Sequence, residues 1–393
     1  MNWLSVAGKL ADAVNSGISL DAERCLHTVD RFSDCQACFQ VCPVQAIRPG
    51  SPPTVDESSC EECLACLSIC PVDAYQGKDA FPALMRCVSR LQGKSVEIIC
   101  EQDSTPHEGS CSERIGLQIK GCFAGLGVGA WIILALSGLE SLHLRLSFCE
   151  NCRWRALRDL VSRQVRVANQ ILESWGCEER VEVEGKDPGT ISRPLWQAGA
   201  PPLSRREMFK IVTNQSKVSL AYTLGNRVKD SSKKPGRDQR RLAFVVEHLL
   251  DRTVEGRQLP PEVNMGSLEV GEHCTACCAC ARICPTGALK IVSNRKEQNF
   301  QILFSPLACV GCEACMHSCP EDAIWVKRTP STVDVFGTGH SVTLLSGKLQ
   351  KCEKCRTFFA GSKTDTLCPI CAGRKKNPFG STIVMRKDKA NIS

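Results

Sequence analysis

Two stretches decide the reading: Cys274-Thr-Ala-Cys277-Cys-Ala-Cys280-Ala-Arg-Ile-Cys284-Pro285, and after it Cys309-Val-Gly-Cys312-Glu-Ala-Cys315-Met-His-Ser-Cys319-Pro320. Both read C-x2-C-x2-C-x3-C-P. The spacing suits a metal cube: three thiolates on one tight loop grip three irons, the fourth ligand arrives from elsewhere, and the proline starts the turn away. The pattern recurs far upstream. Cys60, Cys63, Cys66 and Cys70-Pro71 form a regular run, whereas the run before it has only Cys35, Cys38 and Cys42-Pro43. Phe32 stands at the regular first position and cannot ligate iron, which leaves Cys25 as the available substitute. The blocks 25–71 and 274–320 are therefore internal repeats of one pattern.

This pattern resembles the bacterial dicluster ferredoxins, in which the C-P cysteine of each run ligates the other run's cluster. The resemblance implies four [4Fe–4S] clusters. One takes Cys25, Cys35, Cys38 and Cys70, and its neighbour takes Cys60, Cys63, Cys66 and Cys42. In the second block Cys274, Cys277 and Cys280 join Cys319, while Cys309, Cys312 and Cys315 join Cys284. Cys278, wedged between two ligands, reads as a spare small residue. Zinc sites or buried thiols explain these runs less well.

Outside the repeats, 28 cysteines in 393 residues are the compositional anomaly. Lys9 and Asp12 interrupt the apolar pattern of residues 1–17, which predicts an amphipathic helix rather than a secretory signal. Disulfide frameworks belong to short secreted chains, so cysteines in a cytoplasmic protein of this length are expected to ligate metal. The formal charge of +7 then misleads: each all-cysteinate site adds roughly −2, and six sites bring the total to about −5. Nucleic acid is not the expected partner.

Residues 94–165 have a different character. Apolar runs end at cysteines: Val96 to Cys100, Leu117 to Cys122, and Leu142 to Cys149, with Cys152 just beyond. Helical patterns over 128–139 and 154–175 alternate with these strands and predict a parallel sheet with crossovers. Ligand sites in such sheets form at the carboxyl ends of the strands, where Cys100, Cys122, Cys149 and Cys152 would converge as a four-thiolate set for a [2Fe–2S] cluster. The order strand-Cys, strand-Cys-helix, strand-Cys-x2-Cys resembles the delta subunit of methyl-viologen-reducing hydrogenases, which joins hydrogenase to heterodisulfide reductase. Buried cysteines in an α/β spacer are the bland alternative. The uncharged run 121–139 approaches a membrane span, but five glycines favour a buried crossover helix. Gly125-Leu-Gly127-Val-Gly-Ala130 matches a dinucleotide fingerprint, yet the helix register puts Cys122 and Ala124 where its first two glycines belong.

Residues 185–265 read as linker plus helices at 205–224 and 240–250. The basic run 227–241 reads as a solvated face, with a docking surface for an acidic partner as the lesser alternative. Ser204-Arg205-Arg206 resembles a twin-arginine signal but is internal and lacks an apolar region behind it. Near the end, Cys352-x2-Cys355-x12-Cys368-Pro-Ile-Cys371 offers four thiolates for a closed tetrahedral site, zinc or a single iron. It resembles the rubredoxin-like domain of rubrerythrins. Cys87, Cys111 and Cys177 have no partner at ligand spacing, and His273 and His317 read as loop residues.

The expected fold class is α+β and multidomain: two dicluster ferredoxin-like modules, a small parallel α/β domain, a helical linker and a C-terminal zinc-ribbon or rubredoxin-like knuckle. The expected limits are an N-terminal helix over 1–20, modules over 21–90 and 266–330, the α/β domain over 91–182, linker and helices over 183–265, the knuckle over 340–375 and a tail over 376–393. No nucleophile, phosphate loop or flavin fingerprint stands out. Many one-electron sites without a substrate site imply an electron-transfer subunit of a cytoplasmic oxidoreductase, working with hydrogenase, formate dehydrogenase or heterodisulfide-reductase-type partners in an anaerobe. The rival readings are an enzyme reducing a disulfide at the central cysteines, and a non-catalytic assembly or sensor protein.

Overall fold

The computed structural model describes residues 18–103, 113–184, 194–200, 233–248, 260, 263, 265–327, 331–336, 341–361 and 364–376. The expected helices over 1–17 and 205–224, the Arg205-Arg206 segment, Cys111 and the tail beyond 376 lie outside the described residues.

A five-stranded parallel sheet occupies the centre. Its strands are β1 (Ser95–Cys100), β2 (Arg114–Ile119), β3 (Ser141–Arg145), β4 (Val181–Glu184) and β5 (Leu195–Gln197), in the order β4-β3-β1-β2-β5. Register sets Val96 and Ile98 beside Leu142 and Leu144 on one side and Ile115 and Leu117 on the other, which makes an apolar face. Packed into the same core are α1 (Phe81–Val88), α2 (Val128–Ala135), α3 (Arg158–Ser174) and α4 (Arg237–His248). Inside the sheet Glu97 and Arg145 pair at 2.7 Å, both buried.

Several boundaries differ from the sequence expectation. Strands β4 and β5 carry the sheet past residue 182 into the presumed linker. Helix α2 stops at Ala135 rather than 139, in a turn closed by Gly138 at φ +75°. It is apolar on every side because α3 and α4 pack against it. Among the described residues no helix is long and apolar enough to cross a membrane.

The two ferredoxin-type modules are closed alike, by antiparallel pairing of their first and last strands. Ser19–Leu20 pairs with Tyr75–Gln76, and Ser267–Val270 pairs with Ile324–Lys327. Ser19 and Leu20 thus belong to the first module's sheet and not to an N-terminal helix. Each module carries a hairpin, Ile47–Arg48 with Thr54–Val55 and Leu289–Asn294 with Asn299–Phe304; Val342–Lys348 extends the second. The knuckle comprises Gln350–Lys351 paired with Phe358–Phe359 and the helix Pro369–Lys376.

Candidate metal centres

The local sequence explains how each cysteine loop folds. In the regular runs the residues flanking the second cysteine adopt the left-handed conformation: Glu62 and Leu64, Ala276 and Cys278, Gly311 and Glu313. Two such residues wind the loop tightly enough to turn successive thiols inward. An alanine then opens a short helix carrying the third cysteine, in Ala37–Val41, Ala65–Ile69, Ala279–Ile283 and Ala314–His317. After every C-P pair the chain reads C-P-x-x-A, with Gln45, Asp73, Gly287 and Asp322 at positive φ before the alanine. The turn brings the backbone N–H of Ala46, Ala74 and Ala323 to the sulfurs of Cys42, Cys70 and Cys319 at 3.3, 3.3 and 3.2 Å. The C-P-x-x-A repeat was legible and is the signal that the spacing alone leaves out.

The irregular run departs in geometry as well as in sequence. Gln36 has φ −119° where its counterparts are left-handed, so the loop is relaxed at the point where Phe32 replaces a cysteine. Cys25 is buried and close enough to Cys70 and Cys35 for their charges to interact.

The structure brings the thiols together in groups. Cys38 faces Cys35 and Cys25, and Cys70 faces Cys35 and Cys38; this is the Cys25 set. Cys66 faces Cys63, Cys60 and Cys42, the Cys60 set. Cys280 faces Cys277, Cys274 and Cys319, the Cys274 set, and Cys315 faces Cys309, Cys312 and Cys284, the Cys309 set. At the sheet edge Cys149 faces Cys100 and Cys152, and Cys122 faces Cys100 and Cys149, the Cys100 set. Only Cys100 ends its strand. Cys122 follows β2 by a loop, and Cys149 lies on the short turn Ser147–Asn151 after β3, so the expectation of three strand-end cysteines is corrected to one strand end and two loops. The convergence holds because β1 lies between β2 and β3, a point where successive connections leave in opposite directions and open a crevice at the carboxyl edge.

The donor chemistry fits a bound cation. Burial pushes the Cys63 and Cys70 thiols up to about 11, and those of Cys122, Cys149, Cys280 and Cys309 to about 12. Four buried sulfurs within mutual electrostatic range stay neutral unless positive charge replaces the protons. Backbone N–H groups aimed at sulfur, from Gln102 to Cys100, Ala124 to Cys122 and Trp154 to Cys152, suit thiolates. In the knuckle the sulfurs of Cys352, Cys355, Cys368 and Cys371 all lie within 4.8 Å of one another. There backbone N–H donors, that of Cys355 foremost, hold the Cys352 thiol down to about 6.

Other residues take structural places. Cys87 and Cys177 are buried in the central core, and Cys278 is a loop residue at φ 64°. His273 lies edge-on to Trp325, and His317 bonds to Asp30. The glycine fingerprint serves packing. Gly125 lies against Leu64, where a Cβ would come within 2.8 Å, and Gly127 and Gly129 admit Asp238 of α4, whose carboxylate accepts from the N–H groups of Val128 and Gly129 at 2.9 and 2.7 Å. That carboxylate fills the place a phosphate takes in a dinucleotide fold.

The basic run 227–241 is also corrected: its described part is an internal strut. Lys234 and Arg240 pair with Asp73 at 3.4 and 3.1 Å, Arg237 and Arg241 pair with Asp79 at 3.0 and 2.6 Å, and Arg241 covers the Phe81 ring. Burial alone would raise the Asp79 carboxyl, but Arg241 and Arg237 hold it below its ordinary value. The sequence reading took charge density for solvent exposure because the acidic partners lie more than 150 positions away.

Comparison with known families agrees with this geometry. Residues 273–323 match the 4Fe-4S dicluster domain family, and residues 53–76 match the 4Fe-4S binding domain family. The second match takes in the regular run from Cys60 to Cys70 and leaves out the irregular one. No curated protein matches the chain. The chain thus contains ferredoxin-type 4Fe-4S domains in two places and a four-cysteine group near its C-terminus.

Proposed function

We propose that the protein is a multi-cluster iron–sulfur electron-transfer subunit that relays electrons within a larger cytoplasmic oxidoreductase of hydrogenase, formate dehydrogenase or heterodisulfide-reductase type. The observation that carries this is the threefold recurrence of one thiol-presenting loop, in the runs from Cys60, Cys274 and Cys309, within chain segments matching 4Fe-4S families. Bound to these sets, [4Fe–4S] clusters supply one-electron centres. The protein's part is to hold the thiolates in tight loops, to exclude water with apolar residues such as Leu67, Val72 and Ile302, and to aim N–H groups at sulfur.

The Cys100 set is assigned a [2Fe–2S] cluster on the convergence of its four cysteines at the carboxyl edge of the sheet, and the knuckle is assigned zinc or a single iron. The partners are redox subunits. The test is anaerobic purification with its associated proteins, followed by iron analysis and electron exchange. Iron-loaded protein is expected to exchange electrons with a chemical reductant and a redox partner and to leave disulfides untouched. Catalytic disulfide reduction by the isolated chain, or about eight irons or fewer in folded protein, would overturn the assignment.

A further inference from the structure

We infer that the five cluster-type thiol sets form one unbroken line across both ferredoxin modules, in the order Cys274, Cys309, Cys25, Cys60, Cys100, joined between the modules at Asp30 and His317. This rests on the electron-transfer reading above and deepens it, because the sequence order of the sets is different and leaves the two modules about 200 positions apart.

Each link stands on its own contact. Within the second module Cys280 of one set and Cys309 and Cys315 of the other share one buried cluster, and within the first Cys25, Cys38 and Cys70 of one set share a buried cluster with Cys66 of the other. Between the Cys60 and Cys100 sets, Cys122 lies in range of Cys63. The loops carrying them interlock: Leu64 abuts Gly125, Ser68 donates to the Ala124 carbonyl at 2.6 Å, and Trp154 donates to Glu61 at 2.6 Å.

The remaining link crosses the modules. His317, two residues beyond Cys315, approaches the Asp30 carboxylate at 2.6 Å, and its ring lies edge-on to Phe32. Val310 and Cys312 pack into the first module's core, the cluster that also holds Cys25 and Cys35, and Cys312 feels the Asp30 charge. Helix α4 holds the junction from behind, with Gln239 donating to the carbonyls of Leu307 and Cys309 at 3.0 and 2.6 Å while its arginines hold Asp73 beyond Cys70. The irregular first run acquires a purpose here. Moving the ligand position to Cys25 frees residue 32 to be an aromatic contact for the other module.

The ends of the line are the solvent-exposed Cys277 and the crevice edge at Cys149 and Cys152. The knuckle abuts the Cys277 end, where Ala360 donates to the Thr275 carbonyl at 3.1 Å.

The test is pulsed and power-saturation EPR on the reduced full chain, wild type and Cys25→Ala. Adjacent paramagnets speed each other's relaxation, so removing the Cys25-set cluster is expected to slow the relaxation of the Cys309-set signal severalfold and to leave the Cys274-set signal nearly unchanged. Relaxation of the Cys309-set signal that is indifferent to the variant, in protein that has lost the irons of the Cys25 set and kept the others, overturns the line. Should Cys25→Ala fail to fold or keep a three-iron cluster, stepwise reduction of the wild type reads the same coupling: broadening of the Cys309-set signal must track reduction of the Cys25 set, and broadening independent of it overturns the line. An iron content too low for four cubes refutes the electron-transfer reading instead, which separates the two failures.

Discussion

Cys25, Phe32 and Asp238 show how single residues decide chemistry that spacing leaves open. Replacing Cys25 with Ala should cost one cluster or convert it to a three-iron form, seen as a lower iron content and a new EPR signal; an unchanged spectrum would identify another ligand. Asp238 is raised to about 6 by burial, against the opposing pull of Arg241 and the N–H groups of Gly129 and Val128. Its folded pKa exceeds its unfolded one, so the folded state binds the extra proton between the two values. Its stabilising contribution is full below the unfolded value of 3.8 and is lost as pH rises through about 6, by about 3 kcal/mol in all. The stability advantage of wild type over Asp238→Asn should therefore shrink between about pH 4 and pH 6 and stay level above, as followed by thermal unfolding of the two proteins. A difference that does not vary with pH would exclude this titration.

Among the elements, α4 has the largest reach. From one helix it caps α2 through Asp238, neutralises Asp79 and Asp73, and holds the Cys309 loop through Gln239. Breaking its buried Arg241–Asp79 pair by Arg241→Met should destabilise the iron-loaded chain by about 2–3 kcal/mol, below the full cost of an unpaired buried charge, because Asp79 keeps its ion pair with Arg237. Gly129→Ala places a Cβ within 2.7 Å of the Asp238 carbonyl and 2.8 Å of the Arg241 Cβ, where backbone cannot yield. It should cost about 1–3 kcal/mol by forcing α2 and α4 apart, read as a lowered melting temperature.

For the whole molecule, metal content is the decisive number. On the proposed assignment the protein should carry about 16 irons in cubes, two more if the Cys100 set is filled, and one further metal in the knuckle, as read by anaerobic elemental analysis. Cys355→Ser should remove that last metal alone, and whether zinc or iron disappears in elemental analysis identifies it. Loss of cube iron in the same variant would mean that the knuckle, which touches the Cys274 loop at Thr275, supports that loop's fold.

Cysteine spacing was readable without a structure because a cluster's ligand geometry is local: in each regular run three thiols come from a loop of seven residues, and their periodicity is printed in the chain. The first three strands of the parallel sheet were readable for the same reason, β1, β2 and β3 each placing Val, Ile or Leu at alternate positions. Short strands β4 and β5 were missed, since four and three residues of Val-Glu-Val-Glu and Leu-Trp-Gln carry too little pattern to separate them from a linker. Charge was misread at 233–241, where burial is set by Asp73 and Asp79 from a distant segment. Sequence by itself determined which thiols belong to each loop. Only the tertiary structure decided which loops meet, because that depends on contacts such as Asp30 with His317 and Leu64 with Gly125, made between surfaces whose fit no local periodicity records.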